Sequence, residues 1–262
     1  MFKRMAKILK TEEAVIQNLK IDEWISDFCK IKNSKGERNI ENIIVFDCGT
    51  NRGQILDKII QCFSKAKYYC FEPILELVFF LKDKYKGNNN IIVENFAVGA
   101  SDSEEVKFNV NKYDETSSIL KPSEFMKERK IMHAEKEIEV MMRRIDKYCE
   151  ERNIAKIDLI KMDLQGYELE ALKGCGDFLS KIEVIYAEVN FIKIYENQPV
   201  FSEIDVFLSS KGFRLYNIYN MGRNSKSGQL GAGDAMWVND KFYPYIFIPE
   251  KWEEDMLNNL GL

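Results

Sequence analysis

Histidine is nearly missing from this 262-residue sequence, which holds only His133. A serine–histidine–aspartate triad and a histidine-rich metal centre therefore both lose most of their raw material. The six cysteines, at 29, 48, 62, 70, 149 and 175, include no C-x-x-C pair. All six are read as reduced and structural, and Cys48 and Cys70 lie in apolar runs where a thiol behaves as a small buried hydrophobe. A positive surplus is missing too: 38 Lys and Arg face 42 Asp and Glu, for a net charge of −4. Without a basic field to hold a phosphate backbone, nucleic acid is not expected as a partner. No uncharged apolar run is long enough to cross a bilayer, and no apolar signal core follows the early Lys3, Arg4, Lys7 and Lys10. A cytoplasmic chain without an integral membrane segment is the expectation.

What is present fits one folded unit. Hydrophobic residues make up 45% and charged residues 31%, an ordinary balance for a globular protein with a full core. Val15, Ile16, Leu19, Trp24, Ile25 and Phe28 recur at helical spacing, so residues 1–38 are read as a helical extension. Residues 39–240 form the main domain, and residues 241–262 a tail packed on it. Ile43–Phe46, Tyr68–Phe71 and Ile91–Val93 are short apolar runs separated by helical patterns at 55–63 and 75–85. That rhythm predicts parallel strands buried on both faces by helices, a doubly wound α/β fold. It resumes with Ile157–Ile160, Val184–Ala187, a helix near 201–210, and late strands at 213–216 and 235–238. Between them, residues 101–139 are less regular, with a helix expected at 122–132. Gly222 to Gly233 reads as a long loop or hairpin end.

Ligands of open α/β sheets bind beyond the carboxyl ends of the strands, and four predicted strands run into an acid there: Asp47, Glu72, Asp163 and Glu188. Asp47 opens the turn Asp47-Cys48-Gly49-Thr50-Asn51-Arg52-Gly53. Gly49 allows a sharp turn and Gly53 a close approach of the helix to the sheet, leaving backbone N–H groups toward a ligand. The middle glycine of a dinucleotide fingerprint, which admits a pyrophosphate, is absent. Such a turn suits a phosphate-free ligand carrying an ammonium group, and S-adenosylmethionine fits that description. Glu72 could accept hydrogen bonds from ribose hydroxyls of this ligand or of NAD, so an NAD-dependent oxidoreductase and a non-catalytic nucleoside-binding module stay as alternatives.

Several segments, in this order and spacing, resemble the FkbM family of methyltransferases across roughly residues 43–240. They are Val45–Gly53, Phe71-Glu72-Pro73, Asn95-Phe96-Ala97-Val98-Gly99, Thr116–Leu120, Leu159–Glu168, Ala187-Glu188-Val189 and Lys211-Gly212-Phe213. Cys48 and Thr50 depart from that family's usual Val or Ile and Ala. The resemblance implies a Rossmann-like Class I methyltransferase fold, a mostly parallel seven-stranded sheet with helices on both faces. It also implies S-adenosylmethionine across the first strand tips. Asp47, Gly49, Asn51 and Gly53 would surround the methionine part, with Cys48 beside it; Glu72 and Pro73 would serve the ribose, and Asn95, Ala97 and Val98 the adenine. Ser118 would stand near the donor. Family members look like O-methyltransferases of sugars, glycans or secondary metabolites, which sets the expected acceptor class.

Methyl transfer needs alignment of an acceptor oxygen and removal of its proton. Asp163 is the expected base, with Glu188 and Glu168 as supporting acceptor contacts. Glu168 falls in a first helical turn, where an acid is stabilised without any chemical role. Two acids can also hold a divalent cation, but no compact oxygen cluster is present and no metal is expected. Lys161 alternates with apolar neighbours and is read as pointing to a strand end. The C-terminal aromatics Phe242, Tyr243, Tyr245 and Phe247 are read as core or subunit contact, which leaves a homodimer open.

Overall fold

The fold follows from how period-two strands distribute their side chains. In the computed structural model, which describes residues 22–34 and 43–244, the first helix α1 spans Glu23–Ser34. Then come β1 (Ile44–Cys48), α2 (Gln54–Cys62), β2 (Lys67–Phe71), α3 (Leu75–Lys84) and β3 (Ile91–Glu94). A short β4 (Ala97–Val98) precedes β5 (Glu104–Asn111), β6 (Ala134–Arg143), α4 (Ile145–Glu151), β7 (Ile157–Met162) and α5 (Glu168–Lys173). The chain continues through β8 (Ile182–Asn190), α6 (Phe201–Ser210), β9 (Phe213–Arg223) and β10 (Leu230–Asn239). The expected helical start before residue 22 and the tail beyond residue 244 lie outside the described residues.

Seven strands form one sheet in the order β3-β2-β1-β7-β8-β10-β9. The first five run parallel, and β10 is antiparallel to both β8 and β9. Successive residues point to opposite faces, so Phe46 and Cys48 enter a core with α4, α5 and α6, while Val45 enters a second core with α1, α2 and α3. Helices thus cover both faces, as the apolar runs predict. The strand order reverses between β1 and β7, and this switch point is where an open sheet leaves a crevice at its carboxyl edge.

Helix α1 is tied to the sheet in two ways. Trp24, Ile25, Phe28 and Ile31 are buried, and Trp24 stacks on Tyr186 with ring centroids 4.0 Å apart. Each such large apolar side chain contributes about 1.5–3 kcal/mol on burial. Lys32 reaches Asp158 at 2.6 Å and Glu183 at 2.8 Å in a buried cluster that the Tyr243 hydroxyl joins at 2.6 Å from Glu183.

The middle of the chain departs from expectation. It builds a second, three-stranded sheet in the order β4-β6-β5, whose apolar face packs Phe108, Val110 and Val140 against Ile74 and Leu77. In place of the helix expected at 122–132 there are two single 3-10 turns, Glu124–Met126 and Lys130–Met132. The intervening Lys127-Glu128-Arg129 supplies no apolar stripe for a helix to bury. The stretch at 222–233 is a hairpin end: β9 runs to Arg223 and the antiparallel β10 starts at Leu230, joined at residues 224–229.

Candidate active site

The carboxyl edge at the switch point opens into a cavity of about 260 Å³. The turn after β1 forms one wall. Gly49 has φ +75°, and a Cβ there would lie 2.0 Å from the Asp163 carbonyl oxygen, so only glycine fits. Gly49 and Thr50 donate their N–H groups to Phe71 O at 3.0 and 3.3 Å. Asn51, at the place of the absent middle glycine, also takes a left-handed backbone, φ 50°, which asparagine tolerates better than most side chains. Its N–H donates to Glu72 Oε2 at 2.9 Å. Gly53 is crowded by Tyr85 of the α3 end, whose hydroxyl a Cβ would meet at 2.3 Å. The close approach at Gly53 is therefore to Tyr85 and not to the sheet, a correction to the sequence expectation.

Glu72 and Pro73 form the next wall. Glu72 is 4% exposed, and its second oxygen accepts from Ile74 N at 2.9 Å. Burial pushes its carboxyl up to about 7, with the two backbone N–H donors working against that rise. Ala97 and Val98 line the same cavity with Phe71 and Phe96. Asn95 turns elsewhere: its amide donates to the carbonyls of Glu72 and Pro73 at 3.0 and 2.9 Å, bracing that wall from a separate recess. The second sheet closes the cavity with Phe108, Ser117 and Ile119. Ser118 is buried beside it and donates from Oγ to Gln165 O at 2.8 Å.

Asp47 and Cys48 stand behind the wall, buried at 1% and 0% exposure. The Lys161 ammonium, which does line the cavity, lies 3.2 Å from Asp47 Oδ1 and donates to Gly49 O at 2.9 Å. Burial opposes the Lys161 charge, and Asp47 and Asp163 more than offset it, so its pKa is raised and it stays a cation. Sequence reasoning took this residue only as a side chain pointing to a strand end. Its signal is the one lysine in a strand whose only other charged residue is Asp158, informative only once β1 is known to pair beside it.

Of the three expected acceptor-side acids, Asp163 lines the cavity with its side chain 43% exposed. Glu188 is half-buried on the β8 tip, and burial followed by the charges of Asp163 and Glu168 pushes its carboxyl well up. Glu168 is 2% exposed and accepts the N–H groups of Leu164 and Gly166 at 2.8 and 3.3 Å. Its Oε1 holds the loop after β7, and burial raises its carboxyl to about 7. Gln165, also unforeseen, lines the cavity between Asp163 and Glu188. Among the described residues, no group of three or more His, Cys, Asp or Glu is arranged to hold a metal ion. No helix among them is long and apolar enough to cross a membrane.

The charged lining is Glu72, Asp114, Glu115 and Asp163 against Lys161, which is already paired. Arg52 approaches Asp114 at 2.6 Å from outside this set. A cavity so lined favours a cationic ligand with a flat apolar part and disfavours a pyrophosphate.

The methyltransferase FkbM domain pattern matches residues 47–215. A 2-O-methyltransferase, NoeI of Sinorhizobium fredii (strain NBRC 101917 / NGR234), is 28% identical over 175 residues, covering 63% of this chain and 71% of that protein. Solved structures similar to this chain include M. capricolum TrmK in complex with S-adenosyl-homocysteine, with a TM-score of 0.40 and 12% identity over 88% of this chain and 84% of that one. M. jannaschii TYW2 in complex with AdoMet has a TM-score of 0.40 and 14% identity over 79% and 76%. With the pattern spanning the turn after β1, the β2 tip and the β7–β8 edge of a mostly parallel seven-stranded sheet, this chain belongs to the FkbM methyltransferase family and carries the Class I methyltransferase fold.

Proposed function

We propose that this methyltransferase uses S-adenosylmethionine to methylate a hydroxyl oxygen of a sugar, glycan or other small acceptor. The observation that carries this reading is the acid-dominated cavity at the switch point, where Glu72 and Asp163 face a shared space beside the Gly49 turn. Four carboxylates against one paired ammonium suit a sulfonium and an ammonium group, and a Gly49 turn without room for a Cβ lets backbone approach a ligand closely. Phe71, Phe96, Ala97 and Val98 would flank the adenine, and Glu72 would accept from the ribose. Asp47 would act from behind, by holding Lys161 and through it the Gly49 carbonyl. Asp163 would take the proton from the acceptor oxygen as that oxygen bonds to the methyl carbon. The relative named a 2-O-methyltransferase supports oxygen as the acceptor atom, and the net charge of −4 supports a small acceptor over nucleic acid.

Calorimetry with S-adenosylhomocysteine and with NAD tests the donor. Binding of the former with loss of about tenfold or more in Glu72→Ala is expected, and binding of NAD alone would overturn the proposal. Mass spectrometry of hydroxylated metabolites and glycans incubated with methyl-labelled donor then identifies the acceptor.

A further inference from the structure

The loop after β7 places one neutral side chain between two acids. Gln165 Nε2 donates to Asp163 Oδ1 at 2.7 Å and to Glu188 Oε2 at 2.9 Å, and its Oε1 accepts at 2.9 Å from the Tyr195 hydroxyl, whose one proton is shared with Thr116 O at 3.0 Å. A primary amide has two N–H donors, and both are used here. Its orientation is dictated by the acids, because a flipped amide would present its oxygen to two carboxylates. The backbone is committed as well: Gln165 has φ 51° and Gly166 φ 94°. A left-handed conformation at a residue with a long side chain is strained and persists only where its surroundings impose it. Ser118 Oγ imposes it by donating to the Gln165 carbonyl at 2.8 Å. Tyr195 is itself fixed, 1% exposed, with its N–H donating to Gln198 Oε1 at 3.1 Å.

The surroundings of the two acids differ. Glu188 is faced by Asp163 from the β7 tip, Glu168 from α5, Asp234 from β10 and the Tyr195 phenol, with Lys161 as the cation that acts on it. Asp163 has the Lys161 ammonium 3.8 Å from its Oδ2 and reaches the cavity. Of the pair, Glu188 is therefore the one that burial and neighbouring acids hold toward its neutral form.

We propose that Gln165 is a positioning residue that clamps Asp163 and Glu188 into one carboxyl pair and aims Asp163 at the acceptor hydroxyl. This inference rests on the methyl-transfer reading above. In that reaction the acceptor O–H proton passes to Asp163 as the oxygen–methyl bond forms. The donor's sulfur–methyl bond breaks in the same step, and sulfur keeps the electron pair. The clamp holds the accepting carboxylate in line and stabilises its charged form.

Gln165→Asn tests the clamp, because asparagine is at ease in the left-handed backbone but its amide is one methylene too short to bridge both acids. Tyr195→Phe loosens the same amide from outside the cavity. Carbon-13 NMR titration of carboxyl-labelled protein, assigned with Asp163→Asn and Glu188→Gln, reads the pair directly. Losing an N–H donor to a carboxylate should raise the pair's titration by about one pH unit in Gln165→Asn and by less in Tyr195→Phe. The affinity for S-adenosylhomocysteine should stay within about threefold, because the proposed donor contacts are made by other residues. Unchanged titration in Gln165→Asn, with S-adenosylhomocysteine binding intact, would overturn the clamp alone. A parent protein that binds no S-adenosylhomocysteine would overturn the methyl-donor reading, and the proposal with it.

Discussion

Asp47 on β1 and Lys161 on β7 are register partners across the point where the strand order reverses, and their side chains meet at 3.2 Å in a site sealed to 1% and 4% exposure. Neither Asp47 oxygen receives a well-directed hydrogen bond, so the ammonium is the main partner set against burial, which still leaves the Asp47 carboxyl raised. The same ammonium holds the Gly49 carbonyl and stands 3.8 Å from Asp163. One ion pair thus couples the turn after β1 to the acid at the tip of β7.

Removing one partner of such a buried pair leaves an uncompensated charge, so Lys161→Met should cost about 3–5 kcal/mol in urea denaturation. The double variant Asp47→Asn with Lys161→Met should recover a large part of that loss. Additive losses in the double-mutant cycle would show that the two charges do not support each other.

Gly49→Ala should destabilise the protein by more than about 1 kcal/mol, because the position has φ +75° and the added methyl would meet the Asp163 carbonyl at 2.0 Å. Affinity for S-adenosylhomocysteine, measured by calorimetry, should fall by at least about tenfold as the turn moves. A variant with parent-like melting and binding would contradict this account of the turn.

Glu168 has a carboxyl raised by burial from 4.5 to about 7. A raised folded-state value means that its contribution to stability is present below the unfolded value of 4.5 and is lost as pH rises through about 7. Glu168→Gln keeps an acceptor for the loop N–H groups and removes the charge. It should flatten the pH dependence of stability across that window and gain on the parent by roughly 1–3 kcal/mol at pH 8. Denaturation at several pH values checks this, and parallel curves for variant and parent would refute it.

Glu183 behaves in the opposite sense. Burial alone would raise its carboxyl, but Lys32, the Tyr243 hydroxyl and Lys156 hold it down at about 2. Its contribution is present above the ordinary 4.5 and is lost as pH falls through about 2. Lys32→Met should therefore cost about 3 kcal/mol at neutral pH, and the gap from the parent should shrink in acid. An equal gap at pH 7 and pH 2 would show that Lys32 acts by packing alone.

Much of this molecule is legible from patterns within single segments. The apolar runs at 43–46, 68–71, 157–160 and 184–187 are β1, β2, β7 and β8, because strands buried on both faces leave no polar alternation to mislead. β5 and β6 were mostly missed for the converse reason: Glu104, Glu105, Lys107, Glu135 and Glu139 keep part of that sheet in water, and its apolar side is short. The turn from Asp47 to Gly53 announced itself by its glycines, yet the left-handed Asn51 did not, since asparagine is common in ordinary loops.

Apolar runs alternating with helical patterns were enough in the sequence to determine an open α/β sheet, and the strand-ending acids and glycine turn an acid-lined carboxyl edge. Tertiary structure alone decided which of those acids do what. Glu168 turned inward to two loop N–H groups, Asp47 was sealed behind Lys161, Asn95 faced another recess, and Gln165 came to bridge Asp163 and Glu188. The physical reason is that a charge is governed by the neighbours and solvent it meets, and those neighbours are set by strand register between segments far apart in the chain.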